Sequence, residues 1–305
     1  MPLDLSVKLG PLELASPLMT ASGCSGYGKE LDRYHDLSVY GALVGKSISR
    51  NPRLGNPYPR TAETAAGMIN AIGLQNEGFD SFVKETLPKM RGFGPKAVVN
   101  IVGHDFDEYV WLTERFDAEP GIAALELNLS CPNVAGGMRF ATDAAECEKL
   151  VRACREKTRL PVIAKLSPNV TDVCEIARAA EAAGADILCA INTLVGMAVD
   201  WRARKPLVAN VTGGLSGPAV KPVALRIVHQ VSRAVKIPVI GIGGISNADD
   251  VLDFMVSGAS AVQLGTILFV EPDAGQTIYN GLKSRLLDAG VQRIADIVGT
   301  LETGR

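Results

Sequence analysis

Cys131 sits in the stretch Asn128-Leu129-Ser130-Cys131-Pro132-Asn133-Val134-Ala135-Gly136-Gly137, directly after the apolar run Ala124-Leu125-Glu126-Leu127. A thiol between asparagines, followed by a proline, can be core filler, a metal ligand, half of a disulfide or an acid–base catalyst. The other candidates narrow that choice. Among the six cysteines (Cys24, Cys131, Cys147, Cys154, Cys174 and Cys189) there is no C-x-x-C pair, and the three histidines (His35, His104 and His229) are scattered, which argues against a zinc or iron–sulfur site within this chain. Cys147, Cys154 and Cys174 fall on apolar or helical stripes and Cys189 lies inside a strand-like run, where free cysteine behaves as a small hydrophobe. Cys131 instead follows a strand, is flanked by hydrogen-bonding residues and opens a glycine-bearing loop, a position that favours a reactive thiol over a structural one.

Two lysines point the same way. Lys46 and Lys165 each end an apolar run, an expensive place for an ammonium unless an anion is nearby. One such lysine could simply snorkel to solvent. Two of them, with the glycine turns Gly243-Gly244 and Gly265-Thr266 following later apolar runs, point to an anionic ligand, because backbone N–H groups of such turns suit a phosphate. Ser22, Ser47, Asn100, Asn128 and Asn192-Thr193 complete a set of polar corners. An asparagine at a strand end is often only a turn residue, but a cluster offers paired donors and acceptors to a planar imide or carboxylate. Gly241-Ile242-Gly243-Gly244-Ile245-Ser246 is a near miss to the dinucleotide fingerprint far from the first βα unit, so no Rossmann NAD site is expected.

The elements that must position these residues are legible as alternation. Leu3, Leu5, Val7 and Leu9 alternate with polar residues before Gly10-Pro11 turns the chain into Leu12-Glu13-Leu14, which predicts an N-terminal hairpin. Eight short strand runs follow: Leu18–Ala21, Ala42–Gly45, Ala97–Ile101, Ala124–Leu127, Val162–Ala164, Ile187–Ala190, Val239–Ile242 and Ala261–Leu264. Helices are predicted between them, with Cys147, Leu150, Val151 and Cys154 on one face and Val173, Ile176, Ala177 and Ala180 on another. Asp143 with Glu146 and Asp172 with Glu175 look like their N-terminal caps. The echoes Tyr40-Gly41-Ala42, Ala183-Gly184-Ala185 and Ser257-Gly258-Ala259 each suggest a glycine ending a helix in a left-handed conformation before the next strand.

Eight βα units favour a (β/α)8 TIM barrel of the α/β class, in one domain spanning residues 1–305, over a doubly wound fold with two lobes. The polar corners then gather on the C-terminal rim, where barrel active sites lie. Three connections leaving that rim are long: Ser47 to about Gln75, Ser130 to Thr142, and Asn192 to Gly217. Loops beyond ~12–15 residues in a compact domain are usually functional or disordered. The ordered-looking stretches Asn70-Ala71-Ile72-Gly73-Leu74 and Gly213-Gly214-Leu215-Ser216-Gly217 favour function, as walls and a lid over a flat ligand.

Composition sets the outer bounds. With 31 Lys plus Arg against 33 Asp plus Glu and a net charge of -2, nothing draws the 305-residue chain to nucleic acid or a membrane surface. Met1-Pro2-Leu3-Asp4 is not a basic-then-apolar leader, and no uncharged run approaches the ~18 residues of a membrane span. A soluble cytoplasmic protein with small-molecule or protein partners is expected.

These residues resemble a known family. Thr20-Ala21-Ser22-Gly23, Gly45-Lys46-Ser47, Asn70-Ala71-Ile72-Gly73-Leu74-Gln75-Asn76, Asn128 to Val134, Lys165-Leu166-Ser167-Pro168, Ile191-Asn192-Thr193, Gly213 to Gly217 and Gly241 to Gly244 run in the order found in the dihydroorotate dehydrogenases, and within them the class 1B catalytic subunit. The resemblance implies FMN-dependent oxidation of dihydroorotate to orotate in pyrimidine synthesis. By motif match, Cys131 is the general base, where membrane-associated relatives use a serine. Lys46, Asn70, Ala71, Ile72, Gly73, Leu74, Asn128, Asn133, Asn192 and Thr193 would hold the substrate. Ser22, Lys46, Ser47, Asn100, Asn128, Lys165, Ile191 and Gly217 would hold FMN, with Gly243, Gly244, Gly265 and Thr266 at its phosphate. The resemblance further implies a partner subunit carrying FAD and a 2Fe–2S iron–sulfur cluster that passes electrons to NAD, in a heterotetramer built on a catalytic homodimer. No metal is implied in this chain.

Three other readings compete. One is a dihydropyrimidine dehydrogenase-like flavin barrel, whose substrates lack the carboxylate. Another is a flavin-free phosphate-binding lyase or isomerase barrel. The last, a non-catalytic flavin-binding or scaffold subunit, is disfavoured because every polar position that the family uses is filled.

Overall fold

The computed structural model describes residues 3–130 and 139–304. After the hairpin β1 (Val7–Leu9) and β2 (Leu12–Leu14), the chain lays down β3 (Leu18–Thr20) and β4 (Ala42–Val44), then leaves the barrel for β5 (Thr61–Thr64) and β6 (Gly67–Asn70). It returns as β7 (Lys96–Ile101), β8 (Ile122–Asn128), β9 (Val162–Leu166) and β10 (Ile187–Ala190). A second excursion forms β11 (Leu194–Met197), β12 (Val199–Asp200), β13 (Lys205–Pro206) and β14 (Thr212–Ser216), before β15 (Val239–Ile242) and β16 (Ala259–Leu264) complete the ring. The closed barrel runs β10-β15-β16-β3-β4-β7-β8-β9, all pairs parallel.

These strands are apolar on both faces because the barrel interior takes one face and the helices the other. Leu18, Leu43, Val98, Leu125, Ile163, Leu188, Ile240 and Val262 are fully buried. The helix Ala144–Arg155 buries Cys147, Leu150, Val151 and Cys154, and Asp143 caps it by accepting from the Glu146 N–H at 3.0 Å. The helix Val173–Ala182 buries Val173, Ile176, Ala177 and Ala180. Its cap differs from expectation: Asp172 accepts from Cys174 N at 2.8 Å, one position short of a capping box.

The glycine echoes divide. Gly184 (φ 93) and Gly258 (φ 118) end their helices in the positive-φ region, and Gly184 N donates to Glu181 O while Ala185 N donates to Ala180 O, closing the helix end. Gly41 has no such φ; it is small because a Cβ there would lie 2.2 Å from Ser16 O.

The two excursions are not loops. They form a four-stranded antiparallel sheet, β11-β14-β6-β5, and a small ribbon, β12-β13. Ile69, Ala71 and Val208 make a satellite core with Ala62, Ala198 and Leu215. The sheet escapes a sequence reading because glycines interrupt it: Gly67, Gly196, Gly213 and Gly214 leave no clear alternation. Among the described residues, no helix is long and apolar enough to cross a membrane.

Candidate active site

A cavity of about 790 Å³ opens at the C-terminal ends of the barrel strands, roofed by the added sheet. That is the size of a cofactor or substrate site, typically ~300–1,000 Å³. The strand ends bring Ser22, Lys46, Ser47, Asn100, Asn128, Lys165, Ile191, Asn192 and Thr193 to its floor and sides; Gly243, Gly244, Gly265 and Thr266 line one end; Asn70, Ala71, Ile72, Gly73, Leu74 and Gly217 come from the excursions. Cys131 and Asn133 lie outside the described residues, as does most of the lid expected over 130–142.

The floor is a connected polar sheet. Asn192 Nδ2 donates to Asn128 Oδ1 at 3.2 Å and to Ser130 Oγ at 3.0 Å. Asn128 Nδ2 in turn donates to Ser47 Oγ at 3.4 Å, and Ser47 Oγ is 3.4 Å from Ser22 Oγ. The Thr193 N–H bonds Asn192 Oδ1 at 2.8 Å, so the Asn192 amide is fixed from both ends. In the roof, Asn70 Nδ2 donates to Gly214 O at 3.4 Å, joining the two excursions over the floor.

The two lysines turn out to differ. Lys165 is buried and paired with the fully buried Glu126 at 3.5 Å. Burial works against its ammonium, but Glu126, aided by the thiols of Cys189 and Cys24, holds the Lys165 pKa above the usual lysine value. Its charge therefore has an internal partner, and it does not by itself call for an anionic ligand. Lys46 does. Burial pushes its pKa below the ordinary value; Cys24 opposes that and Lys165 adds to it, and among the described residues Lys46 makes no ion pair.

Sequence reasoning missed several wall residues. Asn169 donates to Thr193 O at 3.0 Å and accepts from Val195 N at 2.9 Å, fixing the exit from β10. Ser216 Oγ accepts from Thr266 Oγ1 at 2.8 Å. Glu126 and Gln263 were detectable as polar residues inside apolar strands, Ala124-Leu125-Glu126-Leu127 and Ala261-Val262-Gln263-Leu264.

A model of the family described as dihydroorotate dehydrogenase matches residues 4–286. The chain belongs to that family. It is 54% identical over 299 residues to the catalytic subunit of dihydroorotate dehydrogenase B (NAD(+)) from Trichlorobacter lovleyi, covering 98% of each chain. Identity is also 54%, over 300 residues, to the protein of that name from Pelobacter propionicus, covering 98% of this chain and 99% of that one. The Geobacter sulfurreducens protein of the same name is 52% identical over 300 residues, with 98% of each covered. The agreement favours neither the dihydropyrimidine dehydrogenase-like reading nor the flavin-free barrel.

The cavity suits the FMN that membership of the dihydroorotate dehydrogenase family implies. Gly243 (φ 139) and Gly244 (φ 74) have no room for side chains: a Cβ on Gly244 would lie 2.7 Å from Gly217 O and 2.8 Å from Lys221 N. Side-chain-free backbone beside the start of the helix Lys221–Ala234 is the kind of cradle that accepts a phosphate. On the floor, Asn100 Oδ1 is buried with no hydrogen-bond partner among the described residues, an acceptor suited to a ligand donor.

Proposed function

We propose that this chain is the FMN-binding catalytic subunit of an NAD-linked dihydroorotate dehydrogenase, oxidising (S)-dihydroorotate to orotate in pyrimidine synthesis. The observation that carries the reading is the rim cavity, which unites a phosphate cradle, an asparagine-lined floor and Lys46, which has no ion pair among the described residues. In this reading Lys46 meets the substrate's carboxylate, and Asn70, Asn128, Asn133, Asn192 and Thr193 hold its ring amides, with the backbone from Ala71 through Leu74 closing over them.

FMN, when bound, supplies the hydride acceptor that no side chain of the chain provides. Cys131 is the proposed base: its thiolate takes the proton from C5 while the C6 hydride leaves, so the substrate loses two electrons and two hydrogens and gains the C5–C6 double bond. Asn128, Asn192 and Ser130 fix one another in the floor and so orient the ring without reorganisation. The added sheet covers the cavity and limits access of water to it.

The family members named above are catalytic subunits of NAD(+)-linked enzymes, which supports a partner for this chain. The proposed partner carries FAD and a 2Fe–2S cluster and hands electrons to NAD, and the assembly is a cytoplasmic heterotetramer around a catalytic homodimer.

The test is substrate choice. The FMN-loaded chain with an artificial electron acceptor is expected to turn over dihydroorotate and not dihydrouracil, and to reduce NAD only with its partner. Cys131→Ala is expected to retain FMN and lose most of the turnover. Equal use of dihydrouracil would return the dihydropyrimidine dehydrogenase-like reading, and an undiminished Cys131→Ala rate would remove the assigned base.

A further inference from the structure

Glu126 points into the barrel from the middle of β8 and is 0% exposed. Three neighbouring groups on three other strands converge on it. Asn100 Nδ2 donates to Oε1 at 2.6 Å, Gln263 Nε2 donates to Oε2 at 2.5 Å, and Lys165 Nζ lies 3.5 Å from Oε1. Lys165 Nζ also donates to Gln263 Oε1 at 3.3 Å.

A carboxylate accepts and cannot donate. Both amides must therefore turn their NH2 groups towards it. For Gln263 the consequence is an oxygen facing Lys165. For Asn100 it is an oxygen with no hydrogen-bond partner among the described residues, on a residue that, like Lys165, lines the cavity. The buried carboxylate thus dictates what the floor offers a ligand: an amide acceptor and a charged donor. Stability alone does not account for it, since a buried ion pair is often no better for folding than apolar side chains of similar volume.

We propose that Glu126 is a positioning residue that sets the hydrogen-bond polarity of the cavity floor, presenting Asn100 Oδ1 as acceptor and Lys165 as ammonium to the pyrimidine side of the isoalloxazine. The inference rests on the FMN reading above. That side of the ring carries an N–H between two carbonyls, so it needs a protein acceptor as well as donors. An amide free to turn would lose much of the preference for such an edge, because an unmatched buried polar group costs its full desolvation.

The test compares FMN with FMN methylated on that ring nitrogen, by fluorescence titration of the apoprotein. Wild type is expected to prefer FMN by at least about tenfold. In Glu126→Gln the side chain brings its own NH2 among the amides, and the preference is expected to fall to within about threefold of unity, with a lowered melting temperature because Lys165 loses its buried counter-ion. The double variant Glu126→Leu/Lys165→Met removes both charges together and leaves no lone buried ion; if the glutamine variant does not fold, the same loss of preference is expected there. Glu126→Asp, which keeps an acceptor-only group, should retain more of the preference than Glu126→Gln. A folded Glu126→Gln or Glu126→Leu/Lys165→Met variant that keeps the wild-type preference would overturn the proposal, as would a wild-type preference near one. If wild type binds FMN and is reduced by dihydroorotate, such a result removes only the role of Glu126. If wild type does not bind FMN, the functional reading fails with it.

Discussion

Gly67 and Gly217 lie back to back, so that a Cβ on Gly217 would sit 2.6 Å from the Gly67 Cα. Gly217 also has a φ of 99, which side chains rarely adopt. The two residues belong to different excursions from the barrel, and their approach lets the β6–β14 pairing close over the cavity. Gly217→Ala is expected to cost about 1–3 kcal/mol of stability from strain and the forced separation. Denaturant unfolding checks the stability, and FMN affinity should drop with it because the cavity end loosens.

The electrostatics of Lys46 make orotate binding pH-dependent. Burial holds its pKa below the ordinary lysine value, so the ammonium is lost as pH rises through that lowered value, earlier than for a solvated lysine. Affinity for the orotate carboxylate should weaken over the same window. In Lys46→Met the affinity should be lower throughout and this part of the pH slope absent. Titration of orotate against FMN-loaded protein across alkaline pH separates the two.

Asn192 offers a sharper probe of the floor. Asn192→Asp keeps the shape and removes the NH2 that bonds Asn128 and Ser130, placing a carboxylate beside their oxygens. Orotate affinity is expected to fall by about ten- to a hundredfold, from loss of those bonds and repulsion of the anion. Calorimetric titration reads it directly.

His35 predicts an acid-labile contribution to stability. Burial depresses its pKa below 6.5, against the opposing pull of Asp273 and Asp36, and among the described residues neither buried ring nitrogen has a hydrogen-bond partner beside Tyr40. A base with a depressed folded-state pKa binds its proton more readily when unfolded, so stability is lost as pH falls below about 6.5. His35→Phe should flatten that part of the stability profile measured by urea unfolding between neutral and mildly acidic pH.

The barrel was legible because burial on two faces leaves a simple trace. Runs such as Val239–Ile242 and Ile187–Ala190 are apolar throughout and match their strands residue for residue. The residues past those runs line one cavity for the same reason, since parallel strands all end on one rim. The added sheet was not legible: its strands are short, half-exposed and broken by Gly196, Gly213 and Gly214. Lys165 looked like a ligand for an anion because its partner, Glu126, lies on the neighbouring strand, 39 residues away in sequence. Pairing across a barrel interior depends on strand register, which spacing along one strand does not reveal.

Anaerobic mixing of the FMN-loaded protein with dihydroorotate tests the central claim most directly. The visible flavin absorbance should bleach with dihydroorotate, persist with dihydrouracil, and bleach far more slowly in Cys131→Ala. A flavin that binds and stays oxidised in the presence of dihydroorotate would contradict the account.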